Sequence, residues 1–300
     1  MARRGRRAFR QGAALALLML AASCRTTREA GPAPLVSASS RGAPSVAAPS
    51  LASPSSQAEL GLPPALPALD LGSDFVTLAV PGFREAIVSV PALQQQPPSV
   101  IVALHGNFDR PEWQCETWRR VTKASPWIVC PRGIPRRDAP KALDRWEWSS
   151  LAATKAEILA SLGALQTRFP DHVDRHRRPL LIGFSLGAIL GARLLGDPDL
   201  GVQSAVLIEG GYQGWTKAAA ERANHAGLGG VLFACGQTEC RNAVRRLGPV
   251  LERAGLRFVA VEDVKAGHDY SGALADKIRE QLPQFLRDSA DRAASPVPFR

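Results

Sequence analysis

From about residue 71 the apolar positions fall into short continuous runs separated by longer mixed segments. The runs are "DFVTLAV" (74–80), "REAIVSV" (84–90), "SVIVALH" (99–105), "PWIVCP" (126–131), "PLLIGF" (179–184), "SAVLIEG" (204–210), "GVLFACG" (230–236) and "RFVAVED" (257–263). Most lack polar alternation, as expected of strands covered on both faces. The first two lie close together and suit an antiparallel pair. Between the later runs stand helical stretches at 112–124, 154–169, 186–196, 215–226, 239–255 and 271–288. Strands alternating with helices predict right-handed crossovers and a doubly wound, mostly parallel eight-stranded α/β sheet with helices on both faces. In such sheets ligands sit beyond the carboxyl ends of the strands, so the strand ends are where chemistry is expected.

Before this region the pattern is different. Residues 24–70 are rich in Ala, Pro and Ser with few large apolar side chains. Such a segment buries too little surface to offset its ordering entropy and reads as a flexible tether. Residues 1–23 read as an export signal: five arginines, then "AALALLMLAA". That run is too short for a bilayer span, which needs about 20 residues. The expected organisation is therefore signal (1–23), tether (24–70), folded α/β domain (71–288) and C-terminal tail (289–300).

Composition changes this picture little. A hydrophobic content of 45% is enough for a full core. The formal net charge of +10 misleads, because Arg3, Arg4, Arg6, Arg7 and Arg10 supply half of it and the signal region holds no acidic residue. The other basic residues are mixed with Asp and Glu, which argues against a nucleic-acid partner. Of five cysteines, setting Cys24 aside leaves Cys115, Cys130, Cys235 and Cys240. An even set in an exported chain suits disulfides, and the close spacing in "CGQTEC" suggests Cys235–Cys240, leaving Cys115–Cys130. Zinc ligation is the weaker alternative, since no suitable histidines flank these positions. No metal or cofactor is implied.

The chemistry concentrates at strand ends. The fifth run ends in Gly183-Phe184-Ser185-Leu186-Gly187, with an apolar strand before it and a helix after it. Gly-x-Ser-x-Gly in that setting is the signature of a nucleophile held up on a tight turn. The third run ends in "LHGNFDR", where His105 and Gly106 turn the chain so that backbone N–H groups face the serine. An oxyanion would accept from the N–H of Leu186 and from Asn107 or Phe108. A serine hydroxyl needs a base. Of five histidines, His172, His176 and His225 read as surface residues and His105 belongs to the oxyanion turn. His268, in "VKAGHDYSGAL" after the last strand, remains. The acid belongs between Ser185 and His268. Glu239 in "CGQTEC" is the first choice, Glu209 in "LIEGGY" the alternative, and Asp263 a further possibility. Trp146 and Trp148 in "DRWEWSS" suit either a substrate platform beside the site or loop packing. "DRPEWQCETWRR" reads as a solvated helix start.

The order of HG turn, GxSxG, acid and then histidine on eight strands resembles the α/β-hydrolase fold, across about residues 71–288. That resemblance implies a serine hydrolase working through an acyl-enzyme on Ser185. The lack of an insertion large enough for a lid makes it similar to carboxylesterases and dienelactone hydrolases, which implies a small-molecule ester substrate. The usual acid, an Asp, is absent, which keeps open a non-catalytic ligand-binding protein on the same scaffold. Separately, "RRAFRQ" (6–11) resembles a twin-arginine export signal and "LAASC" (20–24) a bacterial lipoprotein processing site. That implies a lipid anchor on Cys24, with the outer membrane mildly preferred.

Overall fold

The computed structural model describes Leu66, Leu69 and residues 71–92 and 96–294. The expected signal, most of the tether and the lipidation position Cys24 lie outside them. Eight strands form one sheet: β1 (Phe75–Leu78), β2 (Ala86–Ser89), β3 (Val100–Leu104), β4 (Trp127–Cys130), β7 (Leu180–Phe184), β8 (Ser204–Ile208), β9 (Gly230–Cys235) and β10 (Arg257–Glu262). Their spatial order is β1-β2-β4-β3-β7-β8-β9-β10. The β1–β2 and β2–β4 pairs are antiparallel and the remainder parallel. All eight expected strands are present.

Three elements were not anticipated, one of them the single 3-10 turn Lys141–Leu143. β5 (Ile134–Pro135) and β6 (Trp146–Glu147) form a separate antiparallel pair. Two-residue strands carry too few positions for a period to show. The six helices are α1 (Pro111–Val121), α2 (Leu151–Arg168), α3 (Leu186–Leu194), α4 (Lys217–His225), α5 (Thr238–Arg253) and α6 (Gly272–Ala294). α6 outruns the expected domain end at 288. Ser289 is fully buried and returns its hydroxyl to the Phe285 carbonyl at 2.7 Å, so the last turns belong to the packed domain.

Side-chain alternation along the central strands divides the core. Val102 and Leu104 face a cluster with Ile158 of α2, Leu190 of α3, Ala220 of α4 and Val244 of α5. Ile101 and Ala103 face the opposite cluster with Trp118 of α1 and Leu274 and Ile278 of α6. Helices thus cover both faces, which explains the unbroken apolar runs. α1 is not the solvated segment that its charges suggested: Gln114, Cys115, Thr117 and Trp118 are buried.

Both expected disulfides are present. Cys115–Cys130 ties α1 to the end of β4 with Cα atoms 6.0 Å apart. Cys235–Cys240 ties the end of β9 to the first turn of α5 with Cα atoms 5.6 Å apart. The segment from β8 to α4 spans only residues 209–216, so no lid domain is inserted there.

Candidate active site

Ser185 stands between β7 and α3 with φ 50° and ψ −113°. A serine at a helix N-cap ordinarily accepts a first-turn N–H, as Ser150 does for α2. Ser185 makes no such bond. Its backbone is turned into a left-handed conformation, which costs about 1–3 kcal/mol and points the hydroxyl away from the helix. The flanking glycines are required by close approach. A Cβ on Gly187 would lie 2.3 Å from the Leu104 carbonyl oxygen, and one on Gly183 would lie 2.7 Å from Ala188 backbone atoms. Gly187→Ala is therefore expected to cost about 3 kcal/mol or more, read as a lowered denaturant midpoint. A midpoint unchanged from the parent would show that the elbow can relax.

His268 comes from the β10–α6 loop. Its Nε2 lies 3.0 Å from Ser185 Oγ. Nδ1 faces Gln237 Oε1 at 3.2 Å and Glu209 Oε2 at 3.7 Å. The Gln237 acceptor, with the Glu209 carboxylate beyond hydrogen-bond distance on the same side, assigns the ring proton to Nδ1, so the serine hydroxyl donates to Nε2. The Phe184 ring packs 5.0 Å from the imidazole, centroid to centroid.

The carboxylate facing the histidine is Glu209, just after β8. Its side chain is fully buried. Oε1 accepts the backbone N–H groups of Gly236 and, at 2.9 Å, Gln237. Oε2 has no hydrogen-bond partner and is aimed at His268. Like Ser185, Glu209 has a positive φ, 50°, at a strand end. The first-choice acid is thereby corrected. Glu239 lies in the first turn of α5 and is exposed, because the chain enters the helix immediately after Gln237. Asp263 is held instead by the Lys265 N–H at 2.9 Å and by Lys277 at 3.3 Å, which lower its pKa.

The HG turn after β3 is fixed from several sides. Asp109, nearly fully buried, accepts from the Gly106 N–H at 3.2 Å, the Arg110 N–H at 2.8 Å, Gln114 at 3.0 Å and the Tyr270 hydroxyl at 3.2 Å. Tyr270 belongs to the histidine loop, so this carboxylate couples the two loops. Burial, reinforced by Asp109, holds the Tyr270 phenol well above its usual pKa. Phe108 is withdrawn from the oxyanion candidates, because its N–H donates to the Trp146 carbonyl at 3.1 Å. Asn107 and Leu186 remain. Leu186 opens α3, where first-turn N–H groups lack helical partners.

Three further residues have packing roles, which for Trp146 and Trp148 is the second of the two alternatives and for His105 leaves no substrate contact. His105 is fully buried, stacks on Trp148 at 4.6 Å, and directs both ring nitrogens at the carbonyls of Gly106 and Arg132. Trp148 is 7% exposed and donates to the His105 carbonyl at 2.9 Å. Trp146, equally buried, donates to Asp144 at 3.0 Å beneath the Arg132 guanidinium. All three hold the β5–β6 pair against the HG turn and offer no platform. The exposed aromatics in this region are Phe108 and Trp113.

Gln237 was missed as an imidazole partner and Asp109 as a loop anchor. Both adjoin recognised motifs, yet single polar residues in turns carry no periodic signal. The Cys235–Cys240 disulfide brackets Gly236 and Gln237, whose N–H groups hold Glu209. Converting both cysteines to alanine is expected to lower stability by about 2 kcal/mol. The Ser185 Oγ and His268 Nε2 pair is expected to lose reactivity about tenfold through a loosened Glu209 loop, measured as the rate of covalent labelling of Ser185 by a fluorophosphonate. Lost stability with an unchanged labelling rate would confine the bridge to a structural role.

The sheet order, the serine elbow and the histidine loop together define an α/β-hydrolase fold. Solved structures share it. A proposed dienelactone hydrolase from Klebsiella pneumoniae superposes with TM-score 0.52 at 16% identity, covering 71% of this chain and 98% of that one. The fluorophosphonate-binding serine hydrolase F of Staphylococcus aureus gives 0.52 at 12% identity over 71% and 97%. A fungal esterase from Rhizomucor miehei gives 0.52 at 16% over 73% and 83%. No protein-family model matches the chain, and no curated protein matches it in sequence.

Proposed function

We propose that the protein is a serine hydrolase of carboxylic esters, working through an acyl-enzyme on Ser185. The observation that carries this reading is the Ser185 Oγ to His268 Nε2 contact at 3.0 Å on a backbone bent to expose the hydroxyl. In the reaction, Ser185 Oγ attacks the ester carbonyl while His268 Nε2 takes its proton. The N–H groups of Leu186 and Asn107 stabilise the oxyanion. His268 then protonates the leaving alcohol, and a water activated by the same ring releases the acid. Gln237 Oε1, 3.2 Å away, accepts the Nδ1 proton, and the Glu209 carboxylate, 3.7 Å away, stabilises the imidazolium by its charge.

The named neighbours include an esterase and a serine hydrolase, which supports the ester reading at the level of chemistry. A site without a lid between β8 and α4 suits small or exposed esters. The signal-like N-terminus and two disulfides support export to an oxidising compartment, with lipidation of Cys24 as anchor. A panel of short 4-nitrophenyl esters tests the mechanism. The expected result is a burst of nitrophenolate stoichiometric with enzyme, then steady turnover. Absence of any turnover across the panel overturns the esterase assignment.

A further inference from the structure

A groove lies at the end of the central strands opposite Ser185. It has a volume of about 810 Å³ and opens at the amino ends of β3, β7 and β8, between α6 and the end of α1. Ser185 follows the carboxyl end of β7, roughly 16 Å away along a five-residue strand. The groove is therefore separate from the hydrolytic site. Its volume falls within the range of pockets that enclose a small organic ligand.

The lining has two characters. Apolar side chains, Ile101, Val121, Leu180, Leu282 and Leu286, form the floor and one wall. Lys123, Arg177, Arg178, Arg279 and Arg287 stand around them, against one acidic residue, Glu280. Arg177 is neutralised by Asp174 at 3.1 Å and Arg279 by Asp276 at 2.9 Å. The other three cations have no carboxylate partner among the described residues. Arg178 donates to the Ala226 carbonyl at 3.1 Å and Arg287 to Gln284 Oε1 at 2.7 Å, and each guanidinium keeps further N–H groups.

We propose that this groove binds a medium-chain fatty-acid anion. The hydrocarbon chain lies on the Leu282–Leu286 wall and the carboxylate meets the Lys123, Arg178 and Arg287 rim. The apolar floor suits hydrocarbon, and the surplus of cations without a carboxylate partner suits a negative head. A concave groove accepts one chain, whereas a membrane surface is met by protruding apolar side chains. The proposal is independent of the hydrolytic reading.

Isothermal titration of the full chain with dodecanoate, dodecanol and dodecylammonium, each kept monomeric, tests it. Dodecanoate is expected to bind one to one, at least tenfold more tightly than dodecanol, with no binding of dodecylammonium. Reversing the exposed rim with Lys123→Glu and Arg287→Glu is expected to weaken dodecanoate about tenfold, a loss of ~1.4 kcal/mol, with the thermal midpoint retained. Should that variant fold poorly, Leu286→Trp, which narrows the groove, is expected to weaken dodecanoate and dodecanol alike. No binding by the parent, equal affinity for dodecanol, or affinity untouched by the variants would each overturn the proposal.

Discussion

Replacing Ser185 with alanine is expected to reduce ester turnover about 10⁵- to 10⁶-fold, the loss seen when a nucleophile of this kind is removed. Alanine cannot form the acyl-enzyme, and its methyl group fills the elbow without new contacts. His268→Ala is expected to cost nearly as much, because the hydroxyl 3.0 Å from Nε2 then has no base. The double variant should be hardly worse than either single one, since the two groups act as a unit. Additive losses in steady-state kinetics would mean that the pair does not operate together.

The second large effect concerns the acid. Glu209→Gln preserves shape but offers an amide where Oε2 faces Nδ1, so the favoured imidazole tautomer is lost. A fall of about 10⁴-fold in kcat is expected, by analogy with the amide replacement of a triad aspartate. Glu239→Gln, on the exposed first turn of α5, is expected to stay within twofold of the parent. Gln237→Ala should cost about tenfold, since the hydrogen-bond acceptor at Nδ1 is removed. If Glu239→Gln proved the damaging change, the β8 carboxylate would lose its role.

The contrast between these two glutamates shows what sequence can reveal here. All eight strands were legible because burial on both faces leaves continuous apolar runs. Ser185 and His268 were legible because turn chemistry and strand-end position converge on them. Choosing between Glu209 and Glu239 needed the path of the chain after β8 and β9. Both follow a buried strand within a few residues, and only the three-dimensional turn shows that Glu209 folds back under Gly236 and Gln237. The same limit applies to His105, Trp146 and Trp148. A tryptophan pair between polar neighbours fits a platform or a packed hairpin equally, and the deciding two-residue pairing of β5 with β6 leaves no periodic trace.

The glutamate also bears on the rival reading of a hydrolase scaffold that only binds ligands. A buried carboxylate with one oxygen held by two backbone N–H groups and the other aimed, unpartnered, at an imidazole is a costly arrangement for a protein to keep. That cost favours catalysis over passive binding.

Covalent labelling reads the reactivity of the Ser185 hydroxyl itself. The full chain, folded and oxidised, is treated with a fluorophosphonate and its intact mass recorded beside Ser185→Ala and His268→Ala. A single adduct is expected on the parent, located at Ser185, and none on either variant. No adduct on the folded parent, or an adduct that survives Ser185→Ala, would contradict the nucleophilic role of Ser185.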